Sequence, residues 1–139
     1  MNIVEVSFFD INHHDDMHLI VDEMSEKVVF EREKWLNSNE RLWVKIFEDG
    51  TSRYGLEMQH DPLHGNQKYT WSSRPEVIND YLELDDEHRL ARYSIGIKSK
   101  DDGYTYYSRG ILLKSALEIA KKYEDKLHYG FEQFKSENQ

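Results

Sequence analysis

Two stretches of alternating apolar and polar residues, each interrupted by a glycine-containing turn, constrain the fold of this chain more than any other feature. The clearer stretch covers residues 41–59 and reads RLWVKIF, EDGTS and RYGLEMQ. The second covers residues 90–112, around a loop at 100–103. Alternation with a period of two on both sides of such a turn predicts an antiparallel hairpin. Two hairpins in one chain favour a mostly antiparallel sheet.

The length of the first loop decides which side chains of that hairpin share a face. A two-residue turn at Asp49 and Gly50 would place Lys45 opposite Tyr54. A three-residue loop at 49–51 makes one face wholly apolar, so we predict this loop instead. The pairs are then Leu42 with Met58, Val44 with Leu56, and Ile46 with Tyr54. In the second hairpin, a four-residue loop at 100–103 places Ile97 opposite Tyr106.

Outside the hairpins, residues 2–9 and 68–72 are rich in β-branched and aromatic residues, which predicts two further strands. Between Met17 and Trp35, apolar residues recur at helical spacing and predict a helix. The β-branched pair Val28–Val29 leaves a strand at residues 27–31 as the alternative.

Two further helices are predicted in the second half of the chain. Residues 73–76 read SRPE, a capping box with proline in the first turn, and predict a helix to about residue 84. Residues 115–134 are amphipathic and predict a last helix, in which Gly130 is a weak point or an early end.

The predicted order is therefore β-α-β-β-β-α-β-β-α. The 139 residues contain no linker-like stretch and no repeat, so they predict a single α+β domain over residues 1–139. Its mostly antiparallel sheet is built from the two hairpins, and about three helices pack on it. The predicted core includes Val44, Ile46, Leu56, Ile95, Ile97, Tyr106, Leu117 and Phe131.

The charge of the chain narrows its partners. A formal net charge of -9 disfavours direct contact with nucleic-acid phosphates and with anionic lipid surfaces. The favoured macromolecular partner is a basic protein. The absence of cysteine excludes disulfides and thiol catalysis and is typical of a reducing compartment. Because the sequence has neither a leader-like N-terminus nor an apolar run of membrane-spanning length, we expect a cytoplasmic protein.

Signatures of catalysis are missing from the sequence. It contains no phosphate-binding glycine motif, no nucleophile elbow and no His-Glu-x-x-His. We therefore expect no cofactor, and a binding protein is favoured over an enzyme.

Two groups of acids are the first candidates for a contact surface. Five carboxylates crowd the end of the predicted helix at 73–84, and two more occupy the tip of the second hairpin. They are Asp80, Glu83, Asp85, Asp86 and Glu87 at the helix end, and Asp101 and Asp102 at the tip. Charge complementarity of this kind raises the association rate and the specificity for a basic surface. We also expect Tyr107 and Trp43 to face outward, as aromatic anchors of the contact.

An alternative is a metal site. Residues 13–18 and 60–64 both contain His-Asp-x-x-His spacing, and His14 and His18 would share a face at the start of a helix. Together with His60 and His64 they could bind zinc or another borderline metal. A small metal-dependent enzyme or metal-binding protein would then be the function. Pro62 argues against one regular helix in the second segment, and we predict that these four histidines do not form one site.

The function most consistent with these features is inhibition of a basic partner. In its general character (small, acidic, free of cysteine and α+β) the chain looks like bacterial immunity proteins and phage-encoded inhibitors. No motif is long enough to identify a family. The resulting hypothesis is an immunity protein that neutralises a nuclease-type toxin by covering its cationic cleft.

Overall fold

The computed structural model describes residues 2–10, 27–59, 68–71, 74–108 and 110–138. Seven strands and three helices are assigned within these ranges. They are β1 (Ile3–Asp10), β2 (Val28–Trp35), β3 (Glu40–Phe47), β4 (Ser52–Gln59), β5 (Lys68–Trp71), α1 (Pro75–Tyr81), β6 (Tyr93–Ser99), β7 (Thr105–Tyr107), α2 (Leu113–Lys122) and α3 (Phe131–Glu137). A single 3-10 turn, Glu124–Lys126, lies between the last two helices. The predicted α+β class is confirmed.

The strands form two sheets, and each sheet contains one of the two hairpins. The first sheet has three strands in the order β1-β6-β7, and the second has four in the order β2-β3-β4-β5. Every pairing between these strands is antiparallel, as predicted.

The first hairpin has the predicted face but not the predicted register. Leu42 lies opposite Leu56, and the loop is residues 48–50, closed by a hydrogen bond of 2.8 Å from the Phe47 N–H to the Thr51 carbonyl. The predicted register was wrong by two residues, a shift that returns each side chain to the same face. The reason is Gly50, whose φ of 83° suits the left-handed third position of a three-residue loop. The predicted loop would have placed threonine there.

In the second hairpin, Ile97 pairs with Tyr106 as predicted, although the strand β7 is only three residues long.

The predicted helix between Met17 and Trp35 is wrong over its second half. Residues Val28–Trp35 form the strand β2, which pairs along its length with β3, so the alternative strand interpretation was correct. A run of β-branched and aromatic residues fits a pleated surface better than a helix. Residues 17–26 lie outside the described ranges.

The predicted final helix is interrupted between Lys122 and Phe131, where a 3-10 turn and a segment that hydrogen-bonds to β1 separate α2 from α3. The last residue of this interruption is Gly130. This residue has a φ of 74°, and a Cβ atom there would lie 1.8 Å from the Phe8 carbonyl oxygen. Both the backbone conformation and the close approach to β1 require glycine. The chain therefore bends at Gly130, and α3 begins at Phe131.

The helix α1 begins one residue later and ends about three residues earlier than predicted. Pro75 occupies its first turn, and Arg74, which makes no side-chain capping bond, is the residue before it. Ser73, the predicted cap, lies outside the described residues.

Two hydrophobic cores result. The first core joins the three-stranded sheet to α2 and α3, and the second joins the four-stranded sheet to α1. The first contains Val6, Phe8, Ala91, Tyr93, Ile95, Ile111, Ala116, Ala120 and Phe134. The second contains Leu42, Val44, Ile46, Tyr54, Ile78, Leu82, Leu84, Leu90 and Leu112.

Two short extended segments connect these cores. Leu90 and Leu112 belong to the second core, while their neighbours Ala91 and Ile111 belong to the first. Successive side chains of an extended segment point to opposite sides, so each segment contributes to both cores.

Most of the predicted core is confirmed. Val44, Ile46 and Ile95 are fully buried, whereas Leu56, Ile97 and Phe131 are partly buried against a core. The prediction that Leu117 is a core residue was wrong, because it is 43% exposed on the outer side of α2. The buried residue of α3 is Phe134, whose ring stacks on Phe8 with 4.5 Å between ring centroids.

Candidate acidic contact surface

The five acids at the end of α1 are all exposed. We call them the helix-end acids: Asp80, Glu83, Asp85, Asp86 and Glu87. The chain is fixed beneath them, because the Asn79 side-chain amide donates to the Leu90 carbonyl at 3.0 Å and its oxygen accepts from the Leu90 N–H at 2.8 Å. They therefore project from a firmly attached loop that leads toward β6.

A left-handed residue ends α1. The Leu84 N–H donates to the Asn79 carbonyl at 3.0 Å and the Glu83 N–H to the Asp80 carbonyl at 3.2 Å, the two bonds of a Schellman motif. This motif favours glycine at its left-handed position, but the position is occupied by Glu83 with a φ of 50°. Among the described residues, Glu83 is the only non-glycine residue with a positive φ.

The electrostatics of this helix end are also unfavourable for acids. A helix C-terminus carries partial negative charge, and the last turn of α1 contains no basic residue. The partial negative charge of the helix end is compensated by Arg32 of β2. Its guanidinium donates to the Leu82 carbonyl at 2.9 Å and to the Glu83 carbonyl at 3.0 Å. The helix C-terminus therefore disfavours a carboxylate at Asp80, and the left-handed backbone disfavours a residue other than glycine at Glu83.

Two of the helix-end acids have side-chain partners. His88 Nδ1 lies 2.7 Å from an Asp85 oxygen, and this hydrogen bond lowers the pKa of Asp85. The Lys114 ammonium donates to Glu87 at 2.7 Å and lowers the pKa of that carboxyl. His88 also stacks on Phe30 of β2, with ring centroids 3.8 Å apart, which fixes the loop against the sheet.

The other three helix-end acids, Asp80, Glu83 and Asp86, have no side-chain hydrogen bond or ion pair with any described residue. Between them lies Tyr81, whose side chain is 53% exposed. The sequence did not single out this tyrosine, because it was placed inside a helix expected to continue to residue 84. Once the helix ends at Tyr81, an exposed ring lies directly after Asp80 and two residues before Glu83 in the sequence.

The hairpin-tip acids, Asp101 and Asp102, are exposed but already accept hydrogen bonds, Asp102 from its own hairpin and Asp101 from the residue before β1. Asp102 accepts from the Tyr104 N–H at 2.9 Å and from the Tyr106 hydroxyl, and the latter bond lowers the pKa of Asp102. Asp101 accepts from the Asn2 N–H at 3.1 Å. Tyr104, also missed by the sequence, is 65% exposed beside them.

The two acidic groups do not form one cluster. The helix-end acids are anchored near Leu90, just before β6, and the tip follows the far end of β6. Six steps of about 3.3 Å along that strand separate its ends by about 20 Å. A contact with either group can therefore be tested without the other.

Of the two predicted aromatic anchors, Trp43 is less accessible than expected, and the side chain of Tyr107 lies outside the described part of the chain. Trp43 lies between Glu33 and Gly55 on the face of the second sheet that points away from its core, but it is only half-exposed. Its indole N–H is buried and has no hydrogen-bond partner among the described residues. Tyr107 pairs with Gly96 in β7, and its side chain lies outside the described part.

The metal-site alternative falls on residues that the structure does not describe. His14, His18, His60 and His64 all lie in the ranges 11–26 and 60–67. Within the described ranges, no group of three or more histidine or acidic side chains is arranged to hold a metal ion. Nor does any described helix combine the length and apolar character needed to cross a membrane.

Comparison with protein-family models, with curated proteins and with solved structures finds no significant match to this chain.

Proposed function

We propose that this chain binds a basic protein through the helix-end acids and covers a cationic surface of that partner. In its specific form, the chain is an immunity protein that neutralises a nuclease-type toxin. The observation that carries the proposal is the exposed Tyr81 at the end of α1, close in sequence to Asp80, Glu83 and Asp86, none of which has a side-chain partner among the described residues. An aromatic ring with charges around it is typical of interaction hot spots.

Local energetics support this assignment. A left-handed non-glycine residue costs roughly 1–2 kcal/mol, and acids at a helix C-terminus are disfavoured by roughly 0.3–1 kcal/mol each. A glycine at Glu83 would remove the first cost. Strain at an exposed position suggests a role for the side chain outside folding.

The mechanism follows from charge and shape. The net charge of -9 steers a basic partner toward this protein, and the three free carboxylates then meet cationic side chains that otherwise contact phosphate. Tyr81 supplies the apolar contact that slows dissociation. The hairpin-tip acids contribute less, because their oxygens already accept hydrogen bonds within this chain.

Affinity capture from the native host tests the proposal. The bait is the full chain, compared with a triple variant Asp80→Asn, Glu83→Gln and Asp86→Asn. The matched control is Glu118→Gln, Glu124→Gln and Glu132→Gln, which removes the same charge from exposed acids on and around α2 and α3. We expect the wild type and the control to retain one basic protein that the triple variant loses. Retention of that protein by all three baits would contradict the proposed surface.

A further inference from the structure

The three-stranded sheet has a second face, opposite the first core. Because side chains alternate along β1, Val6 and Phe8 enter the core, and Glu5, Ser7 and Phe9 point to the other side. A groove of about 260 Å³ lies on that side. Its size is just below that of pockets for drug-sized ligands and suits a molecule of amino-acid size.

One wall of the groove is aromatic. After the 3-10 turn the chain runs beside β1, where the His128 N–H donates to the Val6 carbonyl at 2.9 Å and the Tyr129 carbonyl accepts from the Phe8 N–H at 2.7 Å. This places Tyr129 against Phe9, with 5.4 Å between ring centroids. Tyr129 remains 57% exposed, so one ring is available for stacking.

The floor of the groove lacks a side chain. Gly96 lies in the middle of β6, opposite Ser7. Glycine weakens a strand interior, and its presence there often marks a place where a ligand or another chain approaches the backbone. Here Gly96 lines the groove without contributing a side chain to it.

Polar groups around this floor have unused hydrogen-bonding capacity. Glu5 and Lys98 are paired in register across β1 and β6, and both line the groove. In the described part of the chain they form no ion pair with each other or with a third residue. The side chains of Ser7, Thr105 and His128 line the same groove and likewise have no hydrogen-bond partner among the described residues.

We propose that this groove binds a free amino acid with an aromatic side chain. The Glu5 carboxylate receives the ligand ammonium, the Lys98 ammonium receives the ligand carboxylate, and the ligand ring stacks on Tyr129 above Gly96. One acid and one base that face the same small space without pairing are complementary to a zwitterion rather than to an ion of one sign. This site is separate from the helix-end acids and does not depend on the basic partner.

The test is an amide NMR titration of the full chain with L-phenylalanine, phenethylamine and 3-phenylpropionate. The last two ligands keep the ring but lack the carboxylate and the ammonium, respectively. We expect millimolar or tighter binding of L-phenylalanine, with shifts centred on Gly96 and Tyr129. Each analogue should bind at least about tenfold more weakly, as the loss of one charge-assisted contact implies.

Three variants assign the contacts. Glu5→Gln should remove the preference for L-phenylalanine over 3-phenylpropionate, and Lys98→Gln the preference over phenethylamine. Gly96→Val should abolish binding of all three ligands while the β-branched residue keeps the strand folded. The two glutamine variants alter partly exposed side chains, so they test the site even if the valine variant does not fold. The proposal is overturned if L-phenylalanine gives no shifts at the groove, if the three ligands bind equally, or if the glutamine variants keep the wild-type preferences.

Discussion

The helix-end acids and the hairpin-tip acids are alike in sequence but differ in their structural surroundings. Both groups are exposed, both have a neighbouring exposed tyrosine, and both are next to a residue in the left-handed backbone region. At the tip that residue is Gly103, and Asp102 holds the turn together. At the helix end it is Glu83, and three carboxylates have no side-chain partner among the described residues. The first arrangement stabilises a turn, whereas the second costs stability and leaves charge available.

The largest expected difference between the two regions is the contribution of their underlying side chains to the free energy of unfolding. The helix end rests on Leu82, which is buried in the second core, whereas Tyr104 at the tip is mostly exposed. Leu82→Ala should lower the free energy of unfolding by about 2–5 kcal/mol through lost burial and a cavity. Tyr104→Ala should change it by less than about 0.5 kcal/mol. Urea denaturation measures both, and equal effects would contradict the described packing.

The turn at the hairpin tip should require glycine at position 103, because the backbone there is left-handed. Gly103 has a φ of 75°, and no atom lies within 4 Å of the position that a Cβ would take. Gly103→Ala should therefore lower the unfolding free energy by about 1 kcal/mol for conformational reasons alone. Gly50→Ala is a harsher comparison, because its Cβ would also meet Ser115 Oγ at 2.2 Å. An alanine at 103 without cost would show that the turn adopts another conformation.

The corresponding change at the helix end should have the opposite sign. Glu83→Gly removes left-handed strain of roughly 1–2 kcal/mol and adds roughly 0.5–1 kcal/mol of chain entropy, so a net gain of about 0.5–1 kcal/mol is expected. If Glu83 contacts the partner, the same variant should bind more weakly. Thermal unfolding and partner affinity, measured on one preparation, separate the two effects. A variant that is neither more stable nor weaker in binding would contradict both the backbone strain at Glu83 and its contact with the partner.

The smallest expected effect is the pH dependence of the tip. The hydrogen bond from Tyr106 lowers the folded-state pKa of Asp102 below its usual value near 3.8. A group with a depressed folded pKa stabilises the protein above its unfolded pKa, and that stability is lost as the pH falls through the folded pKa. Asp102→Asn should therefore reduce the fall in thermal midpoint below about pH 4 relative to the wild type. Identical acid profiles for the two proteins would contradict this hydrogen bond.

The fold could be predicted from the sequence where the signal was local. Alternation and turn glycines defined both hairpins, and Pro75 located the start of α1. The signal failed at Val28–Trp35, where pairing with β3 overrode a helical apolar spacing. It also failed at residues 123–130, where hydrogen bonding of the chain to β1 interrupts the last helix. These outcomes depend on tertiary neighbours that a single segment does not reveal.

The candidate site was predictable only as a list of acids. Their exposure followed from composition and from their place after a helix. The sequence could not show which of them were engaged, because the partner of Glu87 is Lys114 of α2, which lies 27 residues further along the chain. Tyr81 was missed for a related reason: its exposure depends on the helix ending at that residue, and the local sequence favoured a longer helix.

The central claim is that Asp80, Glu83 and Asp86, which have no side-chain partner among the described residues, bind a basic partner. Association kinetics at low and high salt test it most directly, with the captured partner and three proteins: the wild type, the helix-end triple variant and the matched control triple variant on and around α2 and α3. We predict that the helix-end variant associates at least about tenfold more slowly at low salt and loses most of its salt dependence, while the control remains within about twofold of the wild type. Equal slowing of the two variants would show that net charge alone governs association and would contradict a defined helix-end surface.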